Sequence, residues 1–190
     1  MNRRLFLQFP LVAVPLALET SQQQKDRPEK GIKVDKDKDR FNENIELGRI
    51  GSRIDTKVSS KDCEGDLYIY EGRTAGKGGP PLHIHPHQDE WIHIVQGKYR
   101  WQVGEEKFQL QAGDSLLAPR NIPHAFTLEG EEMGKMMIVF QPAGKMEAFF
   151  HEVTKQTRKP TPEEEKDLYH RHEMEIVGPA LAVSELKYKP

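Results

Sequence analysis

The sequence lacks the features that define several classes of protein. It has a single cysteine, Cys63, so these 190 residues can form no internal disulfide and contain no CxxC pair for zinc or redox chemistry. Lysine plus arginine (28) nearly balance aspartate plus glutamate (30), and no long block of like charge occurs. Nucleic acid and an anionic membrane surface are therefore not expected partners. There is no internal repeat, and the length suits one domain with terminal segments.

The one long apolar run lies near the N-terminus. Residues 5–18 are almost wholly apolar and follow the basic pair Arg3 and Arg4. The run is shorter than the about 20 residues that a membrane-spanning helix requires, so no stable membrane insertion is expected. The opening Asn-Arg-Arg-Leu-Phe-Leu-Gln resembles the twin-arginine export signal. We therefore expect residues 1–18 to be a signal peptide, residues 19–40 to be a polar linker, and the protein to be exported to the periplasm or the extracellular space.

From about residue 41 onward, short segments of alternating apolar and polar residues are separated by glycine, proline, asparagine and aspartate. Many short strands at this spacing predict an antiparallel sandwich or barrel. Tyr99 and Trp101 fall on the same side of one such strand, which gives each sheet an inner and an outer face. We expect an all-β domain over residues 41–155. Its predicted strands are 46–50, 66–71, 82–85, 91–95, 99–103, 108–111, 115–118, 124–128 and 136–141.

The C-terminal segment, residues 156–190, is predicted to carry a helix and a tail. Thr161 is the expected N-cap, a proline follows in the first turn, and Glu164 stands three residues after the cap, which is the pattern of a capping box. A shorter helical turn is predicted near residues 146–153. Both helices are expected to pack on the outside of the barrel.

One group of residues has the types and the spacing of a metal site. His83 and His85 are two residues apart on a predicted strand, so both imidazoles project to the same side. Glu90 follows after a bend that contains proline and can add an oxygen ligand. A third imidazole has to come from elsewhere in the chain, and His124 begins its own predicted strand. Imidazole with carboxylate suits Mn, Fe, Co, Ni or Zn, and the absence of thiolate disfavours a structural zinc site.

The spacing of these residues resembles the first sequence motif of the cupin family. That motif is glycine, HxH, three or four residues, glutamate, six residues and glycine. Here four residues separate His85 from Glu90, and six separate Glu90 from Gly97. The leading glycine is displaced by one position, since only four residues separate Gly78 from His83.

The second cupin motif is also matched, in the correct order along the chain. It is glycine, five residues, proline, any residue, glycine, two residues, histidine, three residues and asparagine. Gly113, Pro119 and His124 stand at these distances from one another. Asn121 replaces the second glycine, and asparagine also accepts left-handed backbone angles. Leu128 replaces the terminal asparagine.

The resemblance implies a jelly-roll barrel, also called a double-stranded β-helix, which holds one divalent transition metal through His83, His85, Glu90 and His124. Four protein ligands leave one or two positions open for a substrate oxygen or dioxygen. Residues 123–126 and 141–144 are similar to those of quercetinase-like cupins. This likeness implies a dioxygenase-type oxidoreductase that acts on a small, partly aromatic substrate, with Glu90 as both metal ligand and general base.

The sequence leaves alternatives open for the pocket residues and for the function. Tyr99, Trp101 and Phe126 are the predicted walls of a substrate pocket, although aromatic side chains also fill barrel cores. The protein can instead be a sugar isomerase or epimerase, in which the metal polarises a carbonyl, or a non-catalytic module that binds metal or a small ligand. The lack of lysine and arginine at the predicted interior positions disfavours a phosphorylated sugar. Trp91 is predicted to point outward and, because cupins commonly pair through such a face, we expect a homodimer.

Overall fold

The computed structural model describes residues 27–47 and 52–182. The predicted signal peptide, residues 1–18, lies outside the described residues, as do the first part of the linker and the end of the C-terminal tail. The described part of the linker has no helix or strand, but it packs on the barrel. The carboxylate of Asp39 accepts hydrogen bonds from the backbone nitrogens of Thr56 and Phe41, both at 2.7 Å.

The described residues form a mostly β structure with two helices. The strands are β1 (Ile45–Leu47), β2 (Ser52–Val58), β3 (Tyr68–Thr74), β4 (Pro81–Ile84), β5 (Asp89–Gln96), β6 (Lys98–Val103), β7 (Glu106–Gln111), β8 (Ser115–Ala118), β9 (His124–Glu129), β10 (Gly134–Gln141) and β11 (Glu175–Ala180), and the helices are α1 (Met146–Thr154) and α2 (Pro162–Arg171). A 3₁₀ turn, Ser60–Cys63, follows β2. No helix in the described part of the chain has the length and apolarity needed to cross a bilayer.

The strands form two antiparallel sheets that face each other. One sheet has the order β1-β2-β3-β10-β5-β8, and the other has the order β11-β4-β9-β6-β7. Consecutive strands repeatedly fall in opposite sheets, as β3 and β4 do, and this alternation is the topology of a jelly roll. The expectation of an all-β, double-stranded β-helix is therefore confirmed.

The inner faces of the strands supply the core. On β5, Glu90 and Ile94 lie on the inner face and are buried. Trp91 lies on the outer face of the same strand and is 40% exposed. On β6, Tyr99 and Trp101 are fully buried. Burial of each large apolar side chain contributes roughly 1.5–3 kcal/mol, so the period-two alternation fixes the register of both sheets.

The predicted strands are present with their ends shifted by a few residues, apart from residues 48–50, which lie outside the described residues. Two strands, β2 and β11, were missed. The inner side of β2 is partly polar. Asp55 on this strand is fully buried and forms ion pairs with Arg53 and Arg73. Its apolar alternation is therefore weak. The sequence of β11 contains Gly178 and Pro179, which indicate a loop.

The two helices begin and end close to the predicted residues. Thr161 caps α2: its hydroxyl accepts from the backbone nitrogen of Glu164 at 3.2 Å, and the Glu164 carboxylate accepts from the Thr161 nitrogen at 2.8 Å. Phe149 of α1 and Tyr169 of α2 line the same cavity as residues of the barrel, so the helices pack on the barrel at one of its ends. The reason is that the open end presents apolar side chains that the apolar faces of both helices can bury.

The C-terminal segment also returns to the barrel as a strand, which the prediction of a helix and a tail did not include. β11 pairs with β4 in antiparallel orientation, and Ile176 lies opposite His83. β4 therefore lies between β9 and β11 rather than at an edge of its sheet. The strand that carries the first histidine of the HxH pair is thus hydrogen-bonded on both sides.

Candidate metal centre

The structure brings together His83, His85, Glu90 and His124. One possible ligand atom from each residue lies within 4.8 Å of those of the other three, and all four side chains are buried. His83 lies on β4, His85 directly follows that strand, and His124 begins β9 opposite His83. Glu90 lies on β5 of the opposing sheet. The closure of the two sheets on each other is therefore what adds the carboxylate to the three imidazoles.

The turn before His124 is fastened to the bend after His85. The backbone nitrogen of Asn121 donates to the carbonyl of His85 at 2.9 Å. Asn121 has a φ of 63°, the left-handed conformation expected at the glycine position of the second motif. Beside it, Arg120 donates to the carboxylate of Asp89, with Nη2 and Oδ2 2.5 Å apart. Neighbouring contacts thus hold both histidine-bearing segments in one relative position.

The four groups differ in protonation. Burial, followed by the positive potential of His124 and His85, lowers the pKa of His83 to about 3, and burial lowers the pKa of His85 to about 4. Both imidazoles are therefore neutral at pH 7, which is the form that binds metal.

Glu90 and His124 form a buried ion pair. Burial by itself raises the pKa of Glu90, but the hydrogen bond with His124 and the positive potential of the histidines hold it below its usual value. The Nε2 atom of His124 lies 3.0 Å from Oε2 of Glu90, and this contact raises the pKa of His124 against the effect of burial. The contact favours protonation of His124 beside an ionised Glu90, and a divalent cation bound by these two candidate ligands would compete with that proton.

Backbone carbonyls orient two of the imidazoles. Nδ1 of His83 lies 2.9 Å from the carbonyl oxygen of Pro81, and Nδ1 of His124 lies 2.9 Å from that of Ile122. A hydrogen bond donated from Nδ1 leaves Nε2 to face the cluster. The same arrangement supports metal-ligating histidines in general.

The unpaired ring nitrogens of His85 are the observation that fits a bound metal ion. The side chain is 1% exposed, and within residues 27–47 and 52–182 neither ring nitrogen finds a hydrogen-bond partner of normal geometry. Its Nε2 is 3.5 Å from Oε2 of Glu90. Leaving a buried polar group unpaired costs about 1–3 kcal/mol, which a bound cation would remove. Ligands on opposite sides of an ion lie about 4.2 Å apart, so the observed spacing needs only a small contraction.

The cluster opens onto a cavity of about 210 Å³, and His83, His85 and Glu90 are part of its polar lining. The other walls are largely apolar and aromatic, from both the barrel and the two helices. They include Tyr70, Phe126, Phe140, Phe149, Phe150 and Tyr169. The arrangement suits a small, flat, mostly apolar ligand that presents a polar atom to the cluster.

Cationic side chains at the border of the cavity are already paired. Nε of Arg53 lies 2.6 Å from the carboxylate of Asp55, and Nη2 of Arg73 lies 2.6 Å from that of Asp37. Lys77 forms an ion pair with an acidic residue at 3.1 Å. A phosphorylated or carboxylated ligand would have to compete with these partners, so the cavity offers little for a strongly anionic molecule.

The three predicted pocket residues have different positions. Phe126 lines the cavity, whereas Tyr99 and Trp101 are fully buried and are not among the residues that line it. The ring of Trp101 stacks on Phe126 with centroids 4.8 Å apart, and Tyr99 meets Phe126 edge-on at 6.0 Å. Tyr99 and Trp101 therefore support the wall from the core. Alternation places all three on inner faces but does not give their depth along the barrel.

Sequence reasoning missed Tyr169 and Tyr70. The ring of Tyr169 lies edge-on to that of His83, with centroids 5.6 Å apart, and Tyr70 contacts Phe150 at 5.0 Å. Neither tyrosine hydroxyl makes a hydrogen bond with any described residue, and burial raises the pKa of both. The adjacent Leu168 and Tyr169 stand in an otherwise charged helix, which indicates a buried contact but not its location.

Comparison with known proteins agrees with this fold and site. The sequence profile of the family described as "Cupin domain" matches residues 70–140, which contain the HxH pair, Glu90 and His124. Residues 70–140 are thus similar to a cupin domain in sequence.

Several curated proteins are similar to part of the chain. "Polyketide synthase CurC" of Streptomyces cyaneus is 28% identical over 69 residues, which are 36% of this chain and 45% of that protein. "Quercetin 2,3-dioxygenase" of Bacillus subtilis (strain 168) is 29% identical over 80 residues, 42% of this chain and 24% of that protein. The chain thus spans less than half the length of these relatives. Among solved structures, that of KdgF from Halomonas sp. has 21% identity and a TM-score of 0.44, with 48% of this chain and 79% of that chain covered.

Proposed function

We propose that this chain is a metal-dependent cupin enzyme that uses dioxygen to oxidise a small, partly aromatic hydroxy compound. The observation that carries the proposal is a buried set of three imidazoles and one carboxylate that opens onto an aromatic cavity. His83, His85, Glu90 and His124 would hold one divalent transition metal. Partial identity with a quercetin dioxygenase supports the choice of reaction class.

A divalent ion bound there supplies a Lewis acid with one or two open coordination positions. The residues of the chain supply the rest. Phe126 and Tyr169 present apolar surface to a flat substrate and exclude water. The pKa of Glu90 is held below the usual value, so this carboxylate is ionised and is the group available to accept the proton of a substrate hydroxyl.

The apolar cavity wall is also the reason to prefer this reaction to a sugar isomerase or epimerase. A sugar needs several hydrogen-bonding side chains around its hydroxyl groups, and the walls away from the cluster are mainly aromatic and aliphatic. A non-catalytic module that binds metal or a small ligand uses the same residues but gives no turnover. A measurement of turnover therefore distinguishes the dioxygenase from the binding module.

The test is metal analysis followed by assay. The purified full chain should contain about one transition metal per molecule, and the metal-free protein reconstituted with Mn, Fe, Co or Ni should consume oxygen with a flavonol under air. Visible absorbance of the flavonol and an oxygen electrode report turnover. Glu90→Gln is the active-site control and should lose activity. Stoichiometric metal without turnover on any flavonol or simple phenol would refute the dioxygenase and favour a binding module.

A further inference from the structure

We propose that Gln88 is a positioning residue of the metal centre. Its carboxamide oxygen accepts a hydrogen bond from Nδ1 of His85 and thereby holds that imidazole with Nε2 toward the metal. This inference rests on the proposed metal centre and adds a residue that is not one of its four ligands.

The first observation is the burial of Gln88 itself. It lies in the bend between His85 and β5 and is 1% exposed. Its carboxamide oxygen has no hydrogen-bond partner in the part of the chain that the structure describes. Buried polar side chains are nearly always paired in folded proteins, so an unpaired carboxamide oxygen next to a functional cluster requires an explanation.

The second observation is the contrast among the three histidines. His83 and His124 each place Nδ1 against a backbone carbonyl two residues back, at 2.9 Å. His85 has no such carbonyl, and its Nδ1 is unpaired among the described residues. Gln88 stands three residues after His85, and its side chain lies beside the ring of that histidine. A buried ring nitrogen and a buried carboxamide oxygen, both unpaired among the described residues, therefore lie on neighbouring side chains.

The third observation is the packing that holds Gln88 in place. Gly144, in the loop after β10, packs directly on the Gln88 carboxamide, and a Cβ atom at this position would overlap its nitrogen. Gly144 also has a φ of 53°, where glycine is favoured. The close approach of Gly144 thus leaves the carboxamide of Gln88 little room to move.

The test compares Gln88→Met, which keeps the length and removes the acceptor, with Gln88→Glu, which keeps an acceptor oxygen. Affinity for Co²⁺ is measured by competition with a chelator on the full chain. Loss of an outer hydrogen bond to a ligating histidine typically weakens metal binding about 10- to 100-fold, and we expect this for Gln88→Met. Gln88→Glu should bind as tightly as the wild type. Gln96→Met, at an exposed position of β5, is the matched control and should not change the affinity.

A spectroscopic readout separates orientation from packing. In the Co²⁺ form, each ligating imidazole with a protonated Nδ1 gives a strongly shifted, exchangeable proton signal. The wild type should give three protected signals, whereas Gln88→Met should lose the protection of one, and Gln88→Glu should shift that same signal. Should Gln88→Met fail to fold, as judged by thermal unfolding without metal, the shift in Gln88→Glu carries the test.

The outcomes distinguish this inference from the proposed function. A wild-type protein that binds no Co²⁺ at one equivalent refutes the metal centre itself. A wild-type protein that binds, together with a Gln88→Met variant of equal affinity and three protected signals, overturns the role of Gln88 alone. Equal weakening in Gln88→Met and Gln88→Glu, with an unshifted signal, also overturns it and leaves Gln88 as a packing residue.

Discussion

Acidification should destabilise the metal-free protein steeply because two buried histidines stay neutral in the folded state. Burial lowers the pKa of His83 to about 3 and that of His85 to about 4, while an unfolded histidine titrates near 6.5. Between pH 6.5 and about 4 the unfolded chain therefore binds two protons that the folded protein does not bind. Protons bound preferentially by the unfolded chain favour unfolding, so stability falls as the pH is lowered through this window.

The magnitude follows from the number of protons. Each proton changes the free energy of unfolding by about 1.4 kcal/mol per pH unit, so two give roughly 2.7 kcal/mol per unit in the middle of the window. His124 has a raised pKa, and its stabilising contribution is complete below pH 6.5, so it leaves this slope unchanged. Glu90, with a lowered pKa, adds a further loss only as the pH falls below about 4.5. The loss between pH 6.5 and 4.5 is then about 5 kcal/mol, comparable with the total stability of about 5–15 kcal/mol of a typical domain.

Urea unfolding in the presence of a chelator, followed by tryptophan fluorescence at several pH values, measures this slope. His85→Gln removes one of the two protons and should lower the slope by about 1.4 kcal/mol per unit. His87→Gln, at an exposed position, is the control and should not lower it. A slope in the wild type that corresponds to less than one proton, or an unchanged slope in His85→Gln, would contradict the neutral, buried state of these imidazoles.

Three further predictions concern the site, the outer surface and a helix start. His124→Ala should abolish stoichiometric metal binding, measured by elemental analysis, while circular dichroism stays that of the folded barrel; retained metal would argue against this ligand. We expect a homodimer that forms through the outer face of β5 and β8, where Trp91 and Leu117 are 40% and 53% exposed. Trp91→Glu should therefore sediment as a monomer, and a wild type that is monomeric at all concentrations would refute this. Thr161→Ala removes the capping box of α2 and should lower the free energy of unfolding by about 1 kcal/mol in urea titrations, and no change would contradict the role of the cap.

The two strands that were not predicted, β2 and β11, depend on contacts between residues far apart in the sequence. β11 forms a strand despite Gly178 and Pro179, because it adds to the free edge of β4 and needs little local preference of its own. β2 is a strand whose buried Asp55 is paired with Arg53 and Arg73, one of them from the neighbouring strand. Local alternation of apolar residues carries no information about such partners.

The sequence by itself determined the inner faces of the strands and the four residues of the candidate metal centre. The period of two gives the inner faces and puts His83 and His85 on one side of a strand, whereas Glu90 and His124 were assigned through the resemblance to the cupin motifs. Only the tertiary structure decided what surrounds that cluster. Tyr169 contacts His83 from a distant helix, and Gly144 packs on Gln88 from a distant loop. Such contacts depend on the closed shape of the barrel, which no local pattern specifies.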